Sequence, residues 1–280
     1  MSSEVEKRIT RATAERFGIE INAPADQQGA AELARMLEHR SHRRYADKPV
    51  TPEVLRLLFA CAFSAPSKSD LQQADIVHVA DAGKRTAIAD MVNDNPWVRT
   101  APVFLIFCGN NRRTRQVAEL RGKPFANDHL DAFMNSAVDA GIVLMNFINA
   151  AEAAGLGCCP ISSVRNHAQK ISDLLELPAW VFPLAGLCVG YPSEEGMITS
   201  RLSLDMTVHT DRYDEANISE RITTYDKRRL ARQQYRKQRD VPRFGTAELY
   251  GWSEDKARQY AKPERADFGE FIRRKKFNLG

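Results

Sequence analysis

Two short polar segments carry the side chains best suited to chemistry. The first, His39-Arg40-Ser41-His42-Arg43, sets two guanidinium groups beside a hydroxyl at the predicted end of a helix. Guanidinium groups bind phosphate with paired hydrogen bonds, and the serine adds a further donor. The second, Ala65–Gln72, is a turn of small residues that a planar ligand can approach closely. Together they predict a site for a planar ligand that carries phosphate.

Other kinds of site find less support in the sequence. It lacks the glycine-rich motif of dinucleotide-binding folds, the phosphate loop of nucleotide hydrolases and the usual serine-hydrolase and zinc-protease motifs. His39 and His42 have a spacing that could ligate a metal on a helix, but no carboxylate or thiol completes the set. We therefore expect no metal site.

The five cysteines are expected to be reduced and mostly buried. An odd number within apolar stretches fits free thiols, and no pair has the C-x-x-C spacing of a zinc site. Cys158 and Cys159 are adjacent in sequence, which leaves a redox role open beside simple strand packing.

Composition narrows the class of protein further. The chain has 280 residues, 43% of them hydrophobic, which is enough for a sizeable core. Its apolar runs, such as Val103–Cys108, are strand-sized, and no signal-peptide region is evident, so we expect a cytoplasmic protein without a membrane partner. The net charge is +4, with the basic excess beyond Arg221. Because no basic stripe with stacking aromatics accompanies this excess, we expect no nucleic-acid partner.

Hydrophobic periodicity predicts alternating helices and strands, hence an α/β or α+β fold. Predicted helices span 2–18, 30–38, 52–63, 83–92, 128–154, 164–175 and much of the chain beyond 220; predicted strands span 75–80, 103–108, 158–161 and 182–189, and 19–28 is a linker. Thr51 and Pro52 form a strong helix start. In the second helix Leu33, Met36 and Leu37 are expected to face inward. Small residues of the long helix, Gly141 among them, would allow close packing against a neighbour or a partner subunit.

Several motifs in a fixed order strengthen the reading of the two polar segments. They are H-R-S-x-R at 39–43, S-x-x-x-L-Q at 67–72, A-P-V-F-L-I-F-C at 101–108, A-A-E-A-A-G-L-G at 150–157, V-R-N at 164–166, L-P-x-x-V-F-P-L-A-G-L-C-V-G-Y-P at 177–192 and R-L at 201–202. In this order the chain resembles the FMN-dependent nitroreductase family, in its NADPH-dependent oxygen-insensitive nitroreductase and flavin reductase branch. The resemblance covers 32–235 and extends more weakly to 277.

The resemblance implies an α+β fold with a mixed sheet flanked by helices, assembled as an intertwined homodimer with FMN at the interface. It further implies three segments: an N-terminal extension over 1–28, an FMN-binding core over 29–219, and a helical C-terminal extension over 220–280 that contacts the partner subunit.

The same resemblance implies the cofactor contacts. They are His39, Arg40, Ser41, Arg43, Pro66, Ser67, Ser69, Gln72, Asn95, Pro160, Ile161, Ser162, Ser163, Arg201 and Arg236. The residues of the H-R-S-x-R motif, together with Arg201, would hold the FMN phosphate, and Ser67 would come from the partner chain. The turn 160–163 would lie along the flavin ring with a backbone N–H toward N5. Arg236 would bind the 2′-phosphate of NADPH. No side chain is assigned as a catalytic acid or base.

Two positions depart from the family pattern. Ser162-Ser163 replaces a glycine pair, and serine is less permissive of close approach and unusual backbone angles. Thr199 stands where the branch has a phosphate-binding lysine, which removes one positive charge.

The implied reaction is transfer of hydride from NADPH, with NADH possible, through FMN N5 to a small electron-poor acceptor by a ping-pong mechanism. The acceptor would be a nitroaromatic, a quinone or a flavin. A reductive aromatic dehalogenase or a dedicated flavin reductase is an alternative within the same fold. A flavin-binding protein without turnover is an alternative of a different class.

Overall fold

The computed structural model describes residues 3–24 and 27–280, which divide into two units. The first unit comprises the chain up to Arg40 together with Met197–Glu264, and the second comprises Ser41–Gly196 together with Arg265–Gly280.

The elements follow the helix and strand alternation predicted from the sequence. The α-helices are α1 Glu4–Phe17, α2 Ala30–Leu37, α3 Pro52–Phe63, α4 Ala82–Met91, α5 Trp97–Thr100, α6 Arg112–Leu120, α7 Leu130–Ala153, α8 Ala168–Leu174, α9 Leu204–Thr207, α10 Ile218–Arg232, α11 Val241–Phe244, α12 Trp252–Tyr260 and α13 Phe268–Arg274. The strands are β1 Ala74–His78, β2 Val103–Asn110, β3 Gly157–Ile161 and β4 Val181–Gly190, and 3-10 helices span Lys68–Asp70 and Ser162–His167.

A four-stranded sheet forms the centre of the second unit. Its strand order is β1-β2-β4-β3, and each neighbouring pair is antiparallel. Every residue of β2 is buried, as its continuous apolar sequence predicts. Among the described residues, parallel pairing is found in one isolated bridge, which joins Ser41 to Cys158 of β3. The α+β class with helices flanking a sheet is confirmed.

Helix α7 covers one face of this sheet and also packs against α3. The rings of Phe147 on α7 and Phe107 on β2 meet edge to face with centroids 5.8 Å apart. Gly155, whose φ of +75° suits glycine, follows α7 and leads into β3. The last helix, α13, closes a smaller core in which Phe271 and Phe182 are buried.

In the first unit, α1 packs against α2. The Ser3 hydroxyl and the Glu6 carboxylate form a reciprocal capping box at the start of α1, and Ile9 is buried at its centre. The predicted inward orientation of α2 is wrong for Leu33 and Met36, which are 42% and 51% exposed, while Leu37 is half-buried. The reason is that α2 is short and buries only the narrow face that carries Ala34.

Other differences from the sequence prediction are local. The predicted helix over 164–175 begins as a 3-10 turn, and α5, α6 and α9 were not predicted. Ser2 of the predicted helix 2–18 and residues 25–26 of the predicted linker lie outside the described residues. Among the helices of the described chain, none is long and apolar enough to cross a bilayer.

Candidate functional site

The second half of the H-R-S-x-R motif is anchored to strand β3. Ser41 forms its parallel bridge with Cys158, and the backbone N–H of His42 donates to the Cys158 carbonyl oxygen at 2.9 Å. Pro160 and Ile161 are the last two residues of β3. The pairing therefore brings Ser41 and Arg43 to the strand that leads into the predicted flavin turn.

Arg43 is held there by a tryptophan. Its guanidinium carbon lies 5.2 Å from the centroid of the Trp97 ring, a cation–π arrangement. The same guanidinium interacts with the Cys159 thiol. Burial raises the pKa of Cys159, and Arg43 only partly opposes that shift, so the thiol stays protonated at neutral pH. Arg43 is thus a fixed positive charge beside the end of β3.

Asn95 and Ser163 are in contact just after the end of β3. The Asn95 side-chain amide donates to the Ser163 hydroxyl at 2.9 Å. Within the turn, Pro160 and Ser162 are exposed whereas Ile161 is 1% exposed and buried in the core. The turn therefore exposes Pro160 and Ser162 to solvent, while the buried Ile161 anchors it to the core.

The predicted residues Pro66, Ser67, Ser69 and Gln72 lie in a separate loop of this unit, which is organised by Asp139. The Ser67 hydroxyl donates to Asp139 at 2.7 Å, and the backbone N–H groups of Lys68 and Gln73 donate to the same carboxylate at 3.1 and 3.2 Å. Asp139, on α7, is only 1% exposed. Because a buried carboxylate needs such donors, it fixes the course of the loop.

This loop is strained and borders a large cleft. Ser69, Asp70 and Gln72 all have φ between +51° and +56°, the left-handed region that non-glycine residues rarely occupy. Strain of this kind concentrates at functional sites. The cleft has a volume of about 590 Å³ and is lined by Pro66, Ser67 and Gln72 among others. No hydrogen bond or ion pair of the described residues joins this loop to the turn 160–163.

The remaining predicted phosphate contacts lie in the first unit. His39 and Arg40 end the segment after α2, and the Arg40 guanidinium donates to the Glu38 carbonyl at 3.2 Å. Arg201 donates through Nη1 to the Thr199 hydroxyl at 2.6 Å and to the Ser200 carbonyl at 3.3 Å. The threonine found in place of lysine therefore accepts a hydrogen bond from Arg201.

Arg236, the predicted NADPH contact, is exposed in the first unit. Among the described residues it has neither a hydrogen bond nor an ion pair. Its neighbours are engaged: Arg239 pairs with Asp255 at 3.0 Å, and Arg243 donates to the Ala261 carbonyl at 3.2 Å. Arg236 is thus available to an anionic ligand.

Three residues of these sites were missed in the sequence. Asp139 could have been found as an acidic residue among the small and apolar residues on the inward face of the long helix. Arg16 donates to the His39 carbonyl and accepts from the Arg201 N–H. Its only signal in the sequence was a helical spacing that puts it on the buried face of α1 with Ile9 and Ala12. For Trp97 there was no signal. In the described part of the chain, no three metal-ligating side chains gather into a cluster.

Comparisons with known proteins agree with the motif order. The model of the "Nitroreductase family" matches residues 36–191, and that of the "Nitroreductase family, C-terminal domain" matches residues 200–280. An FMN reductase [NAD(P)H] of Bacillus subtilis is 37% identical over 194 residues, which are 68% of this chain and 78% of that protein. An oxygen-insensitive NADPH nitroreductase of Salmonella typhimurium is 33% identical over 62% of this chain and 71% of its own.

Solved structures show the same fold over a longer span. The structure of B. megaterium NfrA2 superposes with a TM-score of 0.80 at 30% identity, covering 89% of this chain and 98% of that one. The NADPH:FMN oxidoreductase of Vibrio harveyi, solved in complex with NAD+, gives a TM-score of 0.75 at 29% identity and covers 87% of this chain and 97% of its own.

Proposed function

Since the chain belongs to the nitroreductase family, we propose that it is an FMN-dependent oxidoreductase that takes reducing equivalents from NADPH and passes them to an electron-poor acceptor. The observation that carries this proposal is the convergence of Arg43, Asn95 and Ser163 around the exposed turn at the end of β3. The names of the relatives, among them an FMN reductase and an NADPH nitroreductase, support the choice of cofactor and reductant.

The residues of the second unit suit the ring of a flavin. The polar edge of a flavin ring needs hydrogen-bond donors, and the face of the ring needs a flat protein surface to lie against. The exposed residues Pro160 and Ser162 supply the surface against which the ring would lie, and Asn95 supplies an amide oriented by Ser163. In the first unit Arg40 and Arg201 supply the cations that a phosphate needs, and His39 adds an imidazole that can donate a hydrogen bond.

When bound, FMN supplies the two-electron chemistry, and the protein contributes binding, orientation and electrostatics. Arg43 keeps a permanent positive charge beside the turn, which favours a ligand that gains negative charge. No side chain is proposed as a catalytic acid or base. We propose a ping-pong order, in which NADP+ leaves before a nitroaromatic, quinone or flavin enters.

We further propose a homodimer formed through one face of α7. Leu130, Met134, Val138 and Met145 lie on this face and are each between 44% and 56% exposed. Gly141 lies on the same face, and a Cβ atom added there would meet nothing within 4 Å. Its small size is therefore not needed within one protomer, whereas it would allow a partner helix to approach closely. In the dimer we assign the Ser67 loop to the partner's flavin site and the 220–280 segment to contacts with the partner.

The test is a visible spectrum of the purified protein followed by anaerobic titration with NADPH. We expect a bound flavin that bleaches with NADPH and recovers when a nitroarene, a quinone or free flavin is added. A protein that binds FMN but stays yellow with both NADPH and NADH would be a binding module without turnover. A protein that binds no FMN would refute the proposal.

A second arm of this test uses Arg236→Ala. We expect a higher KM for NADPH and an unchanged KM for NADH, because only NADPH carries the 2′-phosphate. Arg243→Ala, which removes an arginine already engaged with a backbone carbonyl, is the control. An unchanged preference between NADPH and NADH in Arg236→Ala would remove Arg236 from the nucleotide site.

A further inference from the structure

We propose that Arg16, on the N-terminal helix α1, is a positioning residue that holds the two phosphate-binding segments of the first unit in register. The two segments are residues 37–40, which carry His39 and Arg40, and residues 199–201, which carry Arg201. The inference rests on the proposed function, because these segments matter only if they bind the phosphate of FMN.

The guanidinium of Arg16 reaches both segments at once. It donates through Nε to the Leu37 carbonyl at 3.0 Å, through Nη2 to the His39 carbonyl at 2.6 Å and through Nη1 to the Thr199 carbonyl at 3.3 Å. The backbone N–H of Arg201 in turn donates to the carbonyl of Arg16 at 2.7 Å. One residue of α1 therefore joins backbone groups that lie far apart in sequence.

This bridge depends on the shape of arginine. Arg16 is 6% exposed, so its guanidinium has little access to water as a substitute for the three carbonyl acceptors. The planar guanidinium offers donors in fixed directions, whereas a lysine offers donors on a single nitrogen. Lysine in this place would keep the charge but could not span the three acceptors in the same geometry.

The segment that Arg16 holds is tied down from its other side as well. The Tyr225 hydroxyl donates to the Ser200 carbonyl at 3.1 Å, and the Arg228 guanidinium donates to the Arg201 carbonyl. The Arg201 side chain itself is directed by its 2.6 Å bond to the Thr199 hydroxyl. Because position 199 carries threonine and not lysine, the site has one cation fewer. The orientation of the Arg201 side chain therefore matters more for phosphate binding than it would beside a lysine.

Helix α1 is an addition to the matched family segments, which cover residues 36–191 and 200–280. It grips the 37–40 segment a second time, since Arg8 forms a paired contact with Glu38 at 3.1 and 2.6 Å. The Glu38 carbonyl accepts a hydrogen bond from the Arg40 guanidinium at 3.2 Å. This chain thus builds the support of its phosphate segments partly from a helix that lies outside the residues matched by the two family models.

The experiment measures the dissociation constants of FMN and of riboflavin, which lacks the phosphate, for the full-length wild type, Arg16→Lys, Arg16→Met and Lys7→Met. Lys7 is an exposed cation on the same helix and contacts neither segment, so it is the matched control. We expect Arg16→Lys to weaken FMN binding by about tenfold to a hundredfold, in keeping with lost hydrogen bonds to a charged group. Riboflavin binding should stay within about threefold of the wild type, and Lys7→Met should leave both constants unchanged.

The outcomes separate this inference from the proposed function. If the wild type binds no FMN, the proposed function fails. If the wild type binds FMN but Arg16→Lys binds it equally well, Arg16 does not position the segments. Equal losses for FMN and riboflavin would also overturn the inference, since a general loss of structure affects both ligands. If Arg16→Met is poorly folded, the charge-conserving Arg16→Lys variant still decides the question.

Discussion

At the scale of single residues, Asp139 organises the loop that carries Ser67 in the second unit. Three donors from one loop converge on its carboxylate, including the hydroxyl of Ser67. The same loop holds three non-glycine residues at positive φ, which costs free energy that local interactions must offset. The buried carboxylate supplies that compensation.

We predict that Asp139→Asn lowers the free energy of unfolding by about 1–3 kcal/mol, because an amide nitrogen cannot accept the hydrogen bonds that one carboxylate oxygen now accepts. Ser67→Ala should cost about 1–2 kcal/mol, since it removes the hydroxyl that donates to Asp139 and accepts from the Gln72 N–H. Urea denaturation measures both. Ser64→Ala, an exposed serine nearby, is the control and should change stability by less than about 0.5 kcal/mol. Equal stability of Asp139→Asn and the wild type would contradict the role given to Asp139.

At the scale of elements, ion pairs connect α1 to the segment that follows α2. Arg8 and Arg11 both contact Glu38, whose side chain is 12% exposed. The hydrogen bond from Arg8 lowers the pKa of Glu38 below its ordinary value of 4.5. A carboxyl whose pKa is lowered on folding stabilises the protein above its unfolded pKa, and this contribution is lost as the pH falls through the folded pKa.

We predict that Glu38→Gln lowers the free energy of unfolding by about 1–2 kcal/mol at pH 7. The difference from the wild type should shrink as the pH falls below 4.5, where the unfolded carboxyl takes up a proton, and it should vanish once the pH is below the lowered pKa of the folded carboxyl, where the wild-type side chain is neutral as well. Thermal unfolding at a series of pH values tests this, with the exposed Glu20→Gln as control. A difference that stays constant down to low pH would show that charge is not the reason.

At the scale of the whole molecule, the exposed apolar face of α7 bears on assembly. Isolated exposed apolar residues are ordinary, but four on one face of one helix form a patch that favours association. The proposed dimer would bury this patch and place Gly141 against the partner.

We predict that Val138→Glu converts the protein from dimer to monomer at micromolar concentration, because an unpaired carboxylate buried in an apolar interface costs several kcal/mol. Light scattering after size exclusion measures the mass. Val117→Glu is the matched control, since Val117 is 54% exposed on α6 and Val138 is 47% exposed on α7. A Val138→Glu protein that remains dimeric would place the interface elsewhere.

Local sequence was sufficient for most elements of the fold. Thr51 accepts from the Val54 N–H as a helix cap, and Pro52 begins α3 as predicted. The apolar run from Val103 became the buried strand β2, and the long periodic segment became α7. These signals are strong because capping and hydrophobic periodicity depend only on residues a few positions apart.

The same local signals failed where burial depends on a neighbour. Leu33 and Met36 have helical spacing, yet the structure exposes both because α2 turns Ala34 inward. The order of motifs identified the family and named Asn95 and Ser163, but not that Asn95 donates to Ser163. Which face of an element is covered is decided by the elements packed against it.

The sequence by itself determined the fold class, the family and the kinds of side chain available to hold a phosphate and a ring. Only the tertiary structure decided which partners orient them. Arg16 and Thr199 are 183 residues apart and Ser67 and Asp139 are 72 apart, so no local pattern could indicate either contact. Hydrogen-bond partners of buried polar groups are chosen by the packed chain, because burial removes water as the alternative partner.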